Sequence, residues 1–100
     1  MRRKYRDSTL FQKQLRKLRG QDLFNVMKKI EEILTCEDIN HYKNLKHDLK
    51  KFKRVHVNDS YVILFFGDDG KVYFVDYKHH NSVYKYDKKT LEKYKNLKFD

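Results

Sequence analysis

The period of the apolar residues changes once along this chain, and that change most constrains the fold. Up to about residue 35 apolar side chains recur at helical spacing, whereas after residue 52 they alternate or run together as in β-strands. A chain of 100 residues can build one modest core but not two. We therefore expect a single domain over residues 1–100, in which helices pack on a sheet.

Two amphipathic helices are predicted in the first third of the chain. Asp7 or Ser8 can cap the first helix, because their side-chain oxygens accept hydrogen bonds from the free N–H groups of a first turn. Gly20 tolerates a left-handed backbone and is expected to end it, and Asp22 then begins the second helix. The short connection predicts an antiparallel hairpin. Its expected core positions are Phe11, Leu15, Leu18, Leu23, Val26, Met27, Ile30, Ile33 and Leu34.

The second half of the chain predicts a small, mainly antiparallel sheet. Alternation places Arg54 and His56 on one face of a strand and Val55 and Val57 on the other. An acidic, glycine-bounded turn at residues 67–70 then joins a continuously apolar strand to its returning partner. The fold class is therefore α+β, in the order β-α-α-β-β-β-α. The predicted elements are an edge strand at residues 3–6, strands at 52–58, 61–67 and 71–78, and a helical extension over 85–100.

The charge of the chain points to a polyanionic partner. The net charge is +10, from 24 Lys and Arg against 14 Asp and Glu, and nucleic acid is the commonest polyanion. An acidic protein or an anionic membrane surface would complement the same positive charge. The longest apolar run, residues 61–66, is too short to cross a bilayer. The first residues also lack the apolar stretch of a secretory signal, so we expect a cytoplasmic protein.

Metal and carboxylate chemistry are not favoured by the residues present. Cys36 is the single cysteine, which rules out an internal disulfide and a zinc site built on cysteines. The five histidines show no His-x-x-x-His pair, so neither a metal nor another cofactor is expected. Asp68 and Asp69 lie in the predicted turn, where aspartate is favoured for local hydrogen bonding alone.

Residues 45–84 carry an ordered set of motifs that resembles the RelE/ParE superfamily of type II toxin–antitoxin toxins, especially its archaeal RelE-like branch. The set comprises Leu-x-x-x-Leu, an Arg-x-His-Val strand, an apolar strand, an acidic turn and His-His-x-x-Val-Tyr. With the preceding helices the likeness spans about residues 5–86. It implies a RelE-like fold and a ribosome-dependent mRNA endonuclease, neutralised by an acidic, RelB-like antitoxin. The matching residues are Leu45, Leu49, Arg54, His56, Val57, His79, His80, Val83 and Tyr84.

The resemblance also implies metal-free cleavage, with the 2′-OH of the RNA as the nucleophile. This reaction needs a base, an acid and cations around the phosphate, and histidine suits the first two because its unperturbed pKa is about 6.5. Adjacent strand residues point oppositely, so we expect one of His79 and His80 to act while the other packs. The candidate catalytic residues are Arg54, His56, His79, His80 and Tyr84, and the candidate nucleic-acid-binding residues are Lys46, Lys50, Lys51, Lys53 and Lys78.

Two departures from the family pattern leave a second interpretation open. Val62 stands where many members carry an arginine, and His80 replaces the commoner arginine. Lys53, Lys78 or Arg54 would have to supply the missing positive charge. The ParE branch shares the fold, targets DNA gyrase and lacks RNase activity, so the fold alone does not decide the activity. The alternative is a non-catalytic toxin of the same fold, or a basic RNA-binding module.

Overall fold

The computed structural model describes residues 2–46, 49–83 and 88–99. It confirms the predicted α+β class and adds a 3-10 turn at Ile39–His41 and a short helix after the last strand. Among the helices of these ranges, none is long and apolar enough to cross a membrane. The elements are β1 (Lys4–Asp7), α1 (Thr9–Arg16), α2 (Gly20–Thr35), β2 (Lys53–His56), β3 (Tyr61–Asp68), β4 (Lys71–His79), α3 (His80–Val83) and α4 (Lys88–Lys95).

The four strands form one sheet in the order β1-β4-β3-β2. The β2–β3 and β3–β4 pairs are antiparallel and β1 lies parallel to β4, so the mainly antiparallel sheet is confirmed. The tight turn between β3 and β4 has positive φ angles of 52° at Asp69 and 76° at Gly70. Two successive positive φ angles are the mark of a type I′ hairpin turn, whose twist matches that of the strands.

Helices α1 and α2 cover one face of the sheet, here called the first face. Ser8 caps α1: its Oγ accepts from the backbone N–H of Phe11 at 2.9 Å and donates to the carbonyl of Val75 at 2.6 Å. Phe11 stacks on Phe74 with ring centroids 5.3 Å apart, which fixes α1 against β4. The buried cluster of this face contains Phe11, Val26, Ile30, Ile33, Leu34, Ile63, Phe65, Val72, Phe74 and Tyr77.

Two predictions about the helices are wrong. Gly20 does not end α1, which stops at Arg16; with a φ of +56° it instead opens α2, after a connection of three residues. Met27 is not in the core, because its side chain is 50% exposed. The buried stripe of α2 follows Val26, Ile30, Ile33 and Leu34, so Met27 falls on the solvent side of that stripe.

The opposite, second face of the sheet carries its own buried cluster, onto which α4 packs. A β-bulge interrupts the β3–β4 ladder, because Leu64 pairs with Asp76 and Phe65 with Phe74, which leaves Val75 without a directly opposed partner. Val75 and Asp76 therefore both reach the second face. Its buried apolar residues are Leu45, Leu49, Phe52, Val62, Leu64, Val75 and Tyr94.

Candidate nucleic-acid interface

The strand registers place the predicted polar residues in two rows across the second face. One row runs from His56 through Val62 to Lys78, and the next from Arg54 through Leu64 to Asp76. His56 is exposed, whereas Arg54 and Lys78 are half-buried. Residues two apart on a strand lie roughly 7 Å apart, so Arg54 and His56 can approach one phosphate together.

His80 is brought to this face by the turn between β2 and β3. Its backbone N–H donates to the carbonyl of Ser60 at 2.8 Å, and its ring Nδ1 lies 3.0 Å from the same oxygen. The two ring centroids of His56 and His80 are then 6.3 Å apart. A group bound between the rings can come within hydrogen-bond reach, roughly 3 Å, of a nitrogen on each.

The two adjacent histidines hold opposite tautomers when neutral. A carbonyl oxygen only accepts, so the bond to Ser60 places the proton of His80 on Nδ1 and leaves its Nε2 unprotonated. In His79 the Nδ1 instead accepts from the backbone N–H of Asn81 at 3.2 Å, so its proton resides on Nε2. Of this pair, His80 is therefore the ring whose Nε2 can take a proton without losing an existing bond.

His79 belongs to an aromatic stack that starts in the core. Tyr61 stacks on buried Tyr77 at 5.0 Å, His79 meets Tyr61 edge-on at 5.4 Å, and His79 in turn stacks on His80 at 4.7 Å. Tyr61 and His79 are also paired residues of β3 and β4. His79 thus packs between Tyr61 and the ring of His80.

The five candidate lysines do not form one surface. Lys46, Lys50 and Lys51 are exposed. Lys53 is only 7% exposed, and its Nζ donates to Oδ1 of Asn44 at 2.9 Å. Because Lys53 pairs with Phe65 of the first-face cluster, its side chain projects from the sheet face opposite Arg54. The structure therefore does not place Lys53 beside Arg54 as a phosphate contact.

Lys78 is held by a buried network on α4. The Tyr94 hydroxyl donates to Oδ2 of Asp76 at 2.7 Å and accepts from Nζ of Lys78 at 3.1 Å. The N–H of Tyr77 donates to the other carboxylate oxygen at 2.8 Å. Burial raises the pKa of Asp76, and the Tyr94 hydrogen bond and the Lys78 charge oppose that rise. Burial likewise raises the pKa of Tyr94, so its hydroxyl stays a donor at neutral pH.

Two residues that position the site were missed by sequence reasoning. Ser60 orients His80 through its backbone carbonyl, which no side-chain pattern reveals. Tyr94 lies within the predicted C-terminal helical extension, and nothing in the sequence shows that its hydroxyl is buried against Asp76. Tyr84 lies outside the described residues. Within the described ranges, no group of three His, Cys, Asp or Glu residues is arranged to hold a metal ion.

The chain is similar to known proteins in both sequence and fold. No family model matches the chain. It is 47% identical over 70 residues to the Methanocaldococcus jannaschii protein named toxin RelE4, a match that spans 68% of the chain and 70% of that relative. A Methanosarcina mazei protein is 38% identical over 61 residues, covering 59% of the chain and 69% of that protein.

Two solved structures have the same architecture. The toxin–antitoxin complex RelBE2 of Mycobacterium tuberculosis aligns with a TM-score of 0.67 and 22% identity, over 80% of the chain and 93% of the matched one. YafQ of Escherichia coli aligns with a TM-score of 0.64 and 16% identity, over 83% and 99% respectively. At these identities the likeness establishes the fold, and the residues of the site have to be argued from their own geometry.

Proposed function

Because the chain belongs to the RelE family of toxins, we propose that it cleaves messenger RNA on the ribosome as the toxin of a type II toxin–antitoxin system. The observation that carries this proposal is the pair of rings formed by His56 and His80, 6.3 Å apart on the face that also bears Arg54. Two titratable rings around one gap, with a guanidinium nearby, form the minimum apparatus for RNA cleavage without a metal.

In the proposed reaction His80 is the base and His56 the acid. The unprotonated Nε2 of His80 takes the proton of the ribose 2′-OH, whose oxygen attacks phosphorus and forms a new P–O2′ bond. The P–O5′ bond breaks, and His56 gives its proton to the departing 5′-oxygen. The products are a 2′,3′-cyclic phosphate and a 5′-hydroxyl, so atoms and charge balance. The bond from Nδ1–H to Ser60 keeps the His80 ring in place in both protonation states.

Arg54 and Lys78 supply the positive charge near the phosphate in this proposal. Arg54 lies two residues from His56 on β2. Lys78 lies in the same row of the sheet as His56, with Val62 between them. The exposed Lys46, Lys50 and Lys51 extend the basic surface along which the message would run. Tyr84 keeps the orienting role that the family resemblance implies.

The proposed partner is an acidic, RelB-like antitoxin that binds this basic surface in the cytoplasm. The M. tuberculosis structure with the same fold is a complex of a toxin and its antitoxin. The net charge of +10 makes an acidic protein a complementary inhibitor.

A second candidate function is a non-catalytic toxin that acts on DNA gyrase. The observation in its favour is that Val62 is fully buried at the centre of the His56–Lys78 row, where many family members carry an arginine. The ammonium of Lys78 also donates to the Tyr94 hydroxyl, so one of its N–H groups is already used.

The deciding experiment is cleavage of message on programmed ribosomes in EDTA, with mapping of the RNA ends. We expect new ends with a 5′-hydroxyl from the wild type, and losses of about 10²-fold or more in His56→Ala and His80→Ala. His79→Phe keeps the aromatic stack and should cost far less than His80→Ala. Met27→Ala removes a half-exposed side chain from α2, which covers the opposite face of the sheet, and serves as the control.

Two results would contradict the catalytic proposal. One is a wild type that produces no new ends, and the other is a set of histidine variants that cut as fast as the wild type. Inhibition of gyrase supercoiling by a protein that makes no ribosomal cuts would select the second candidate.

A further inference from the structure

A second basic groove lies between α1 and the C-terminal segment. It has a volume of about 530 Å³, and its walls carry Lys13 and Arg16 from α1 and Lys93 and Lys98 from the other side. Of the described residues that line it, none is an Asp or Glu and none is aromatic. It shares no residue with the proposed cleavage site.

The groove is preformed, because its two walls are joined by backbone hydrogen bonding. The N–H of Thr9 donates to the carbonyl of Lys98 at 3.0 Å, and Ser8 forms an isolated β-bridge with Phe99. Ser8 is itself fully buried at the start of α1. A ligand therefore meets two walls whose backbones are already joined, and binding does not have to order the C-terminal segment first.

Within the described part of the chain, none of the four groove cations forms an ion pair with a carboxylate. The ion pairs Arg2–Glu31 and Lys29–Glu32 involve no residue of the groove. Lys13 and Arg16 stand one helical turn apart on α1, a spacing at which like charges repel. Concentrated and uncompensated positive charge in a concave surface favours an anionic ligand.

The lining indicates which anion fits. Unstacked bases are held by aromatic side chains, and none of the described lining residues is aromatic. Leu10 and Leu97 at the base of the groove already pack against the second-face cluster, so they offer little apolar surface to an incoming anchor. The groove thus suits a ligand recognised by its regular negative charge more than by bases or apolar side chains.

We propose that this groove binds the phosphate backbone of an RNA helix and holds the toxin on structured RNA, independently of the cleavage site. This proposal rests on the proposed ribosomal action in one respect, namely that the ribosome would supply the RNA helix. The message would bind at His56 and His80 on the second face while the groove binds a separate RNA helix. An acidic protein segment is the competing occupant that the test must separate from RNA.

The test measures binding of a fluorescein-labelled RNA duplex of arbitrary sequence by fluorescence anisotropy, across a range of salt concentrations. Lys13→Gln/Lys98→Gln removes one charge from each wall while keeping most of each side-chain stem. Lys4→Gln/Lys28→Gln removes the same charge from exposed positions elsewhere and is the matched control. Thermal melts of both variants establish that they are folded.

We expect the groove variant to bind at least about tenfold more weakly at 0.1 M salt, and its salt slope to fall by about 1.8, or 0.9 for each lost phosphate contact. The control should lose less than about threefold. Equal losses in both variants would overturn the proposal, because binding would then follow net charge alone. A poly-glutamate peptide whose binding depends on Lys13 and Lys98, while duplex binding does not, would reassign the groove to an acidic protein.

Duplex binding contains no cleavage step, so the two proposals fail separately. A wild type that makes no ribosomal cuts but binds the duplex through Lys13 and Lys98 contradicts the cleavage proposal and supports the groove. A wild type that cuts the message and binds the duplex without those residues contradicts the groove assignment alone.

Discussion

Replacing Tyr94 with phenylalanine isolates the hydrogen bond that fastens α4 to the sheet. The ring can keep its place against Phe52, which it meets edge-on at 5.7 Å, so the change removes the hydroxyl and little packing. The hydroxyl joins Asp76 and Lys78 at 2.7 and 3.1 Å. Asp76 and Tyr94 are 4% and 5% exposed, so solvent weakens the hydrogen bond between them only slightly.

The expected loss in the free energy of unfolding is about 2 kcal/mol at neutral pH, since hydrogen bonds to charged groups contribute about 1.5–3 kcal/mol. For a chain of this size that loss lowers the melting temperature by about 8–16 °C. The measurement is thermal and urea unfolding followed by circular dichroism. Tyr61→Phe, which removes a hydroxyl from an exposed tyrosine, is the matched control and should change stability by less than about 0.5 kcal/mol.

The loss in Tyr94→Phe should also depend on pH in a defined direction. Burial raises the pKa of Asp76 in the folded protein, and the Tyr94 hydrogen bond opposes that rise, so its removal raises the pKa of Asp76 further. A carboxyl with a raised folded pKa contributes stability below its unfolded pKa, about 3.9, and loses it as the pH climbs through the folded pKa. Because Asp76 has the higher folded pKa in the variant, raising the pH costs the variant more free energy of unfolding than it costs the wild type. The difference in stability between the two proteins should therefore grow from pH 4 to pH 8. A variant that melts like the wild type, or a deficit that is constant with pH, would refute this account of Asp76.

Two further predictions concern the framework that carries the site. Ser8→Ala removes the cap of α1 and the hydroxyl that donates to the carbonyl of Val75. We expect urea unfolding to show a loss of about 1–2 kcal/mol in the free energy of unfolding, and Ser8→Thr, which keeps a hydroxyl, to lose less. Gly70→Ala forces a side chain onto a backbone with φ of +76°, although there is open space around the new Cβ; we expect about 1–2 kcal/mol from backbone strain alone. An unchanged unfolding midpoint in either variant would show that the cap or the turn geometry does not limit stability.

The strands and turns were predictable because their signals are local. The alternation around Val55, the apolar run of β3 and the acidic turn ending at Gly70 each specify a backbone conformation within a few residues. The same alternation already places Lys53 and Arg54 on opposite faces of β2, although both were named from the sequence as possible sources of positive charge for one site.

The rest of the site depends on contacts between residues distant in sequence. The position of His80 follows from a carbonyl at Ser60, twenty residues earlier, and the sequence does not encode a backbone oxygen as a signal. The burial of Asp76 depends on α4, eighteen residues later, reaching back with Tyr94. Sequence reasoning could name the histidines as candidates, but their hydrogen-bond partners and tautomers required the folded chain.

The bulge at Val75 reverses the parity of β4. Before it, odd-numbered Tyr73 faces the second sheet face with Phe66, whereas after it the even-numbered Asp76 and Lys78 do. The last stretch of the strand, from Asp76 to His79, therefore alternates one residue out of phase with its beginning. When distant relatives are compared position by position, a one-residue gap placed on the wrong side of Val75 would assign every later side chain of the strand to the wrong face. The face to which Lys78 and His79 project is thus set by one extra residue, Val75, in the interior of the strand and away from both side chains.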